Sequence, residues 1–130
     1  MARPNLSVSN NRKPPGWPRE VPPPGADAWE EKACSWLLDL SPGEYRSYEI
    51  LRRHPQVLAW WAQRNVEAQL NAARQAYARA RAEMQDQVPP EVLAELLSTL
   101  EQEGARLLGA QREIGLVTAA LRGEHYIPRL

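Results

Sequence analysis

The sequence predicts an all-α fold: a long antiparallel helical hairpin, capped at one end by two short helices and preceded by an extended Pro-rich N-terminal arm. Three observations predict it. Two apolar stripes recur in a 4–3 alternation over about 30 residues each. A Pro-Pro pair, Pro89 and Pro90, separates them. The first 25 residues hold seven of the chain's 12 prolines.

That proline density excludes a helix or a central strand over residues 1–25. The expectation there is extended, partly polyproline, mobile chain. Its deletion through residue 16 should then cost little stability. The stretch Arg12-x-x-Pro15-x-x-Pro18 also matches a polyproline-II ligand pattern, although a linker with Trp17 folded back on the domain serves equally well.

A single helical domain is expected over residues 26–123, with a short tail at 124–130. Asp27 and Glu30 have capping-box spacing, and Trp29, Ala33, Trp36, Leu37 and Leu40 make one stripe, which predicts helix α1 over 27–40. Ser41, Pro42 and Glu44 repeat the start signal for α2 over 42–53, with Tyr45, Tyr48 and Leu51 on one side. Pro55 forces His54 out of the helical region and can open α3 over 55–86. Its seam is Val66, Leu70, Ala73, Tyr77, Ala80 and Met84. In α4, over 90–122, the seam is Leu93, Leu97, Leu100, Gly104, Leu107, Gln111, Ile114, Thr118 and Leu121, and Gly123 is the stop. Each long helix would run roughly 45 Å at 1.5 Å per residue.

Folded back on itself, the hairpin sets Tyr77 beside Leu100 or Gly104. The same register sets Arg81 opposite Glu95, Arg74 near Glu101 and Glu103, and Arg64 opposite Glu113, as markers of an antiparallel pair. Ala59 and Ala62 extend the α3 seam with small residues, so the adjacent Trp60 and Trp61 point away from it. They are expected to seat the α1/α2 cap and to make that end the thick core, or else to stay exposed for a partner.

Composition bounds the function. The chain has 130 residues and a formal net charge of zero, and it is 43% hydrophobic and 25% charged, which describes one ordinary globular domain. No apolar stretch reaches bilayer length, no signal-peptide core is visible, and the lone Cys34 cannot form an internal disulfide. A cytoplasmic protein is the expectation. The sequence has no Gly-rich phosphate loop, no HExxH, no CxxC and no GxSxG, so no catalytic residue, cofactor or metal is expected. Cys34, His54 and His125 could meet at one end of the hairpin, but without regular ligand spacing or a fourth ligand. The best expectation is a non-enzymatic interaction or scaffold protein, with a protein partner or a homo-oligomer, using Trp17, Trp60, Trp61, Arg52 and Arg53 as contact residues. The alternative is a nucleic-acid-associated regulator that uses the Arg-rich helix faces and the basic arm.

The run "YEILRRHPQVLAWWAQRNVEAQLNAARQAYARARAEM", with the closing "LRGEHYIPRL", resembles small uncharacterised all-helical proteins of high-GC actinobacteria, from about Trp17 onward. The resemblance implies a helical fold and no activity. Secreted WXG-type hairpins carry Trp-x-Gly at the interhelical turn; here the turn is "DQVPPE", which sets that family aside.

Overall fold

A computed structural model describes residues 12–124. Expectations for residues 1–11 of the arm and for residues 125–130 of the tail, His125 included, lie outside them. The described chain is all-helical, with no strand: a long helix pair packs together, with short helices at one end. The elements are α1 (Trp29–Asp39), a 3-10 helix (Gly43–Ser47), α2 (Glu49–Arg53), α3 (Pro55–Met84) and α4 (Pro90–Leu121). Two compact units divide it, one of residues 1–63 and 112–130, the other of residues 64–111.

In the first unit, the helix starts differ from the capping boxes read in the sequence. Ala28, not Asp27, precedes α1, in left-handed backbone at φ +60°, and no side chain caps the helix. A backbone turn does that work instead, with the Trp29 N–H donating to the Ala26 carbonyl at 3.2 Å. Ser41 is spent on the end of α1, its hydroxyl donating to the Leu37 carbonyl at 2.8 Å. The single helix expected over 42–53 breaks at Tyr48, whose backbone is extended. The Ser47 hydroxyl donates to the Glu44 carbonyl at 2.8 Å, a local bond that competes with helical continuation. His54 is extended before Pro55, as the proline requires, and its carbonyl accepts the Val57 and Leu58 N–H groups at 2.9 and 3.1 Å to start α3. At the end of α4, Gly123 at φ +88° completes a Schellman motif, with Gly123 N–H to Ala120 O and Glu124 N–H to Ala119 O, both 2.9 Å.

The Pro-rich segment is the main departure. From residue 14 on it is neither extended nor loosely held. Pro14-Pro15-Gly16-Trp17 closes a turn through Trp17 N–H to Pro14 O at 3.0 Å, with Gly16 at φ +81°. Pro23-Pro24-Gly25-Ala26 repeats it at 3.1 Å, with Gly25 at φ +91°. Pro then Gly at the two central positions is the type II turn signature, because only glycine takes the positive φ cheaply. Between the turns, Pro18 and Val21 are fully buried, and the Trp17 indole N–H donates to the carbonyls of Val21 and Pro22 at 3.0 and 3.1 Å. The Trp17 ring lies 6.1 Å from that of Trp29. This coil lies over α4, where Gly16 comes close to Leu116.

Two-sided cover changes the buried stripe of α4. In this unit Ile114, Val117, Ala120 and Leu121 are buried; Thr118, expected in the seam, is only partly so. Val117, which is apolar, is buried in its place. The antiparallel sense holds here, where the Gln56 side-chain amide at the start of α3 donates to the Leu121 carbonyl at 3.0 Å.

In the second unit the expected register holds: Tyr77, Leu100 and Gly104 line one groove. Among the described residues, the expected charge markers Arg81 with Glu95 and Arg74 with Glu101 or Glu103 form no ion pair. Exposed ion pairs run along single helices, Arg64 with Glu67 at 3.0 Å, Arg79 with Glu83 at 3.7 Å and Arg106 with Glu103 at 2.7 Å. Such i,i+3 and i,i+4 pairs need no long side chain to reach across a seam. Arg106 binds Glu103 through two nitrogens, which holds that carboxyl below its ordinary range.

Two outcomes are expected. Trp17→Ala should cost about 3–5 kcal/mol, the range for a buried Trp, against a total of ~5–15 kcal/mol. Exposed Gln75→Ala should be nearly silent; thermal melts of both check this. Burial, with the Glu20 carboxylate adding to it, raises the Glu113 carboxyl above its ordinary value. The folded state therefore binds this proton more readily than the unfolded state, and stability falls as pH rises through that window. Glu113→Gln should raise the melting temperature at neutral pH and lose that advantage in acid, below the unfolded carboxyl range.

Candidate functional surface

The tryptophan pair is displayed rather than buried. On α3 the inward positions are Leu58, Ala59 and Ala62, each with no exposure. Helical geometry turns the residues between them outward. Trp60 is 57% exposed and Trp61 36%. Ala59 and Ala62 are buried, as expected of seam residues, and so are Leu37, Leu51 and Leu58, so the Trp pair is not the buried part of this region.

Trp61 still meets the cap. Its ring lies 4.5 Å from that of buried Tyr45 and 5.8 Å from that of Tyr48, the latter stacked at 10°. Tyr45 and Tyr48 are 5.9 Å apart, so three rings form one cluster. The break at Tyr48 lets that residue stand at the rim, 39% exposed. Ile50 and Val57 are exposed as well. Arg52 is one helical turn beyond Tyr48, and its guanidinium donates to the Arg46 carbonyl at 3.2 Å. Arg46 is tied to Asp39 at 2.6 Å, and Arg53 is 4.0 Å from Glu49. The surface is therefore aromatic and aliphatic with a basic edge.

Of the five contact residues expected from the sequence, Trp60, Trp61, Arg52 and Arg53 belong to this exposed region. Trp17 does not: at 8% exposure it is a core residue. Pro18, the last position of the polyproline pattern, is buried too, so that pattern is not on offer to a receptor in this conformation. Tyr48, Ile50 and Val57 are exposed too, and the sequence reading does not single them out. Tyr48 precedes α2 and Ile50 lies within it, a helix too short to bury two sides.

For chemistry the arrangement offers little. Burial, then the neighbouring Glu30 carboxylate, raises the Cys34 thiol above its ordinary value, which makes it a poor nucleophile at neutral pH. His54 is exposed and lines a shallow pocket with Glu30, Gln56, Val57 and Leu121. Among the described residues, no three His, Cys, Asp or Glu side chains converge to hold a metal ion. No described helix is long and apolar enough to cross a membrane. The chain matches no protein-family profile, no curated protein and no solved structure.

Exposure separates the two roles for the aromatic and leucine positions. Leu58→Ala should cost about 2–5 kcal/mol and Trp61→Ala distinctly less, roughly 1–2 kcal/mol, since a partly exposed ring loses mainly its aromatic contacts. Denaturant unfolding of the two variants side by side measures the difference; a larger loss for Trp61→Ala would make the pair a core element after all.

Proposed function

We propose that this is a non-enzymatic, cytoplasmic bacterial interaction protein that binds a protein partner through its aromatic surface. The observation that carries this reading is the exposure of Tyr48, Ile50, Val57, Trp60 and Trp61 beside Arg52 and Arg53. Exposed apolar side chains gathered in one region raise the free energy of the lone molecule in water and are commonly interaction sites. Trp, Tyr and Arg are also the residue types that dominate binding energy at interfaces. The leucine core beneath holds the rings in place before binding, which limits the ordering cost of association.

The basic edge supports a second reading, a nucleic-acid-associated regulator. Arg52 and Arg53 could meet phosphates while an exposed ring stacks on a base. A net charge of zero weighs against it, because phosphate attraction supplies most nonspecific affinity.

Capture from a native-host extract on immobilised parent chain and on Trp60→Ala tests both. A defined protein retained by the parent should be lost with Trp60→Ala, with unchanged helicity, by roughly thirtyfold or more in affinity if Trp60 is a hot spot. Equal retention by both proteins would defeat the reading. Oligonucleotide retention that falls steeply with salt would favour the second.

A further inference from the structure

The second unit, residues 64–111, leaves much of its apolar surface open. On α3 the seam is made of small residues at Ala73 and Ala80, both buried. On α4, none of Leu93, Leu96, Leu97 and Leu100 is fully buried, and Val92 and Leu108 are exposed. A groove runs between the helices, floored by Leu70, Ala73, Tyr77, Leu100, Gly104 and Leu108. Arg74 stands on its α3 wall and Glu101 on its α4 wall. Both are exposed, and neither is in an ion pair among the described residues.

Gly104 is one of three glycines inside α4, with Gly109 and Gly115, and it lines this groove. A glycine inside a helix costs about 1 kcal/mol relative to alanine. A side chain at Gly104 would meet nothing within 4 Å, so packing within this chain does not require the glycine. Its absent side chain instead deepens the groove from outside.

We infer that this groove is the docking face for a second copy of the chain, with Arg74 of each copy paired to Glu101 of the other. The charges select that occupant. A two-fold axis running along the helices lays α3 of one copy over α4 of the other. It exchanges the two walls of the groove while keeping residues at the same level. One cation on the α3 wall and one anion on the α4 wall then meet their opposites twice, which makes the face self-complementary. Neighbouring helices across the interface are antiparallel, as in a four-helix bundle, and the open leucines become its core. This rests on the interaction-protein reading and names one partner, at a surface separate from the aromatic one.

Sedimentation equilibrium of the full chain over a wide concentration range tests it. The parent should self-associate. Arg74→Glu and Glu101→Arg should each weaken association by about tenfold or more, since each contact is counted twice and attraction becomes repulsion. The combined exchange should restore it to near the parent value. Circular dichroism should show unchanged helicity in all of them. A parent that stays monomeric throughout, single reversals that leave association unchanged, or a double variant as weak as the singles would each overturn the inference. Trp60→Ala should leave self-association intact. Loss of partner capture with retained association would strike neither reading, whereas a monomeric parent with Trp60-dependent capture would remove this inference alone.

Discussion

Two antiparallel helices share one seam, and one seam cannot dry the flanks of both. Everything else in this chain follows from how those flanks are treated. In the unit of residues 1–63 and 112–130, a third layer is supplied by the coil of residues 14–24, by α1 and by the short turns after it. There α4 is buried at Ile114, Val117, Ala120 and Leu121. Across residues 90–106 no residue of α4 is buried, and the leucines there keep water contact. Burial of a leucine contributes about 1.5–3 kcal/mol when complete, so an uncovered stripe forgoes most of its possible stabilisation.

The covering layer carries its own costs, and they show how firmly it is held. Ala28 adopts a left-handed backbone conformation that costs a non-glycine residue roughly 1–2 kcal/mol. Glu113 is partly buried near Glu20, which raises its carboxyl and penalises its charged form. Against these stand the buried rings of Trp17, Trp29 and Trp36 and the fully buried Val21, Leu37 and Leu51. The indole N–H of Trp17 finds two carbonyls, so the ring is buried without an orphaned donor. A layer fixed in this way gives Tyr45 and Tyr48 a defined place, and Trp61 a defined stack.

The long elements were legible because their signals were local and repeated. Pro55, Pro90 and Gly123 bound α3 and α4, and the register that sets Tyr77 near Leu100 follows from antiparallel pairing across a short turn. The Pro-rich segment departs from the extended, mobile chain that its proline density alone predicts. Its real signal was Pro-Pro-Gly, which occurs twice, and each copy turns the chain back. Both capping boxes failed because Asp27 and Ser41 had competitors: a backbone turn at Ala26 and the open carbonyl of Leu37. Of the expected interhelical pairs, neither Arg81 with Glu95 nor Arg74 with Glu101 or Glu103 forms among the described residues, and Arg64 holds Glu67 one turn away on its own helix. Of the contact residues, Trp60, Trp61, Arg52 and Arg53 were legible as exposed; Trp17 was not legible as core, since nothing local says that an indole will find carbonyls four and five residues ahead.

Local choices in a folded chain usually agree with its packing, and where they disagree, function is the first explanation to examine. Two disagreements stand out here. A 57% exposed Trp60 stands one residue from the fully buried Ala59. A glycine stands inside α4 at position 104, where alanine would fit and would favour the helix. Each belongs to a different surface: one of exposed rings beside Arg52 and Arg53, and a groove of small residues and leucines with one charge of each sign. A ring that projects suits insertion into a pocket on another molecule, while a bare backbone suits the close approach of another helix. The two departures therefore ask for different occupants.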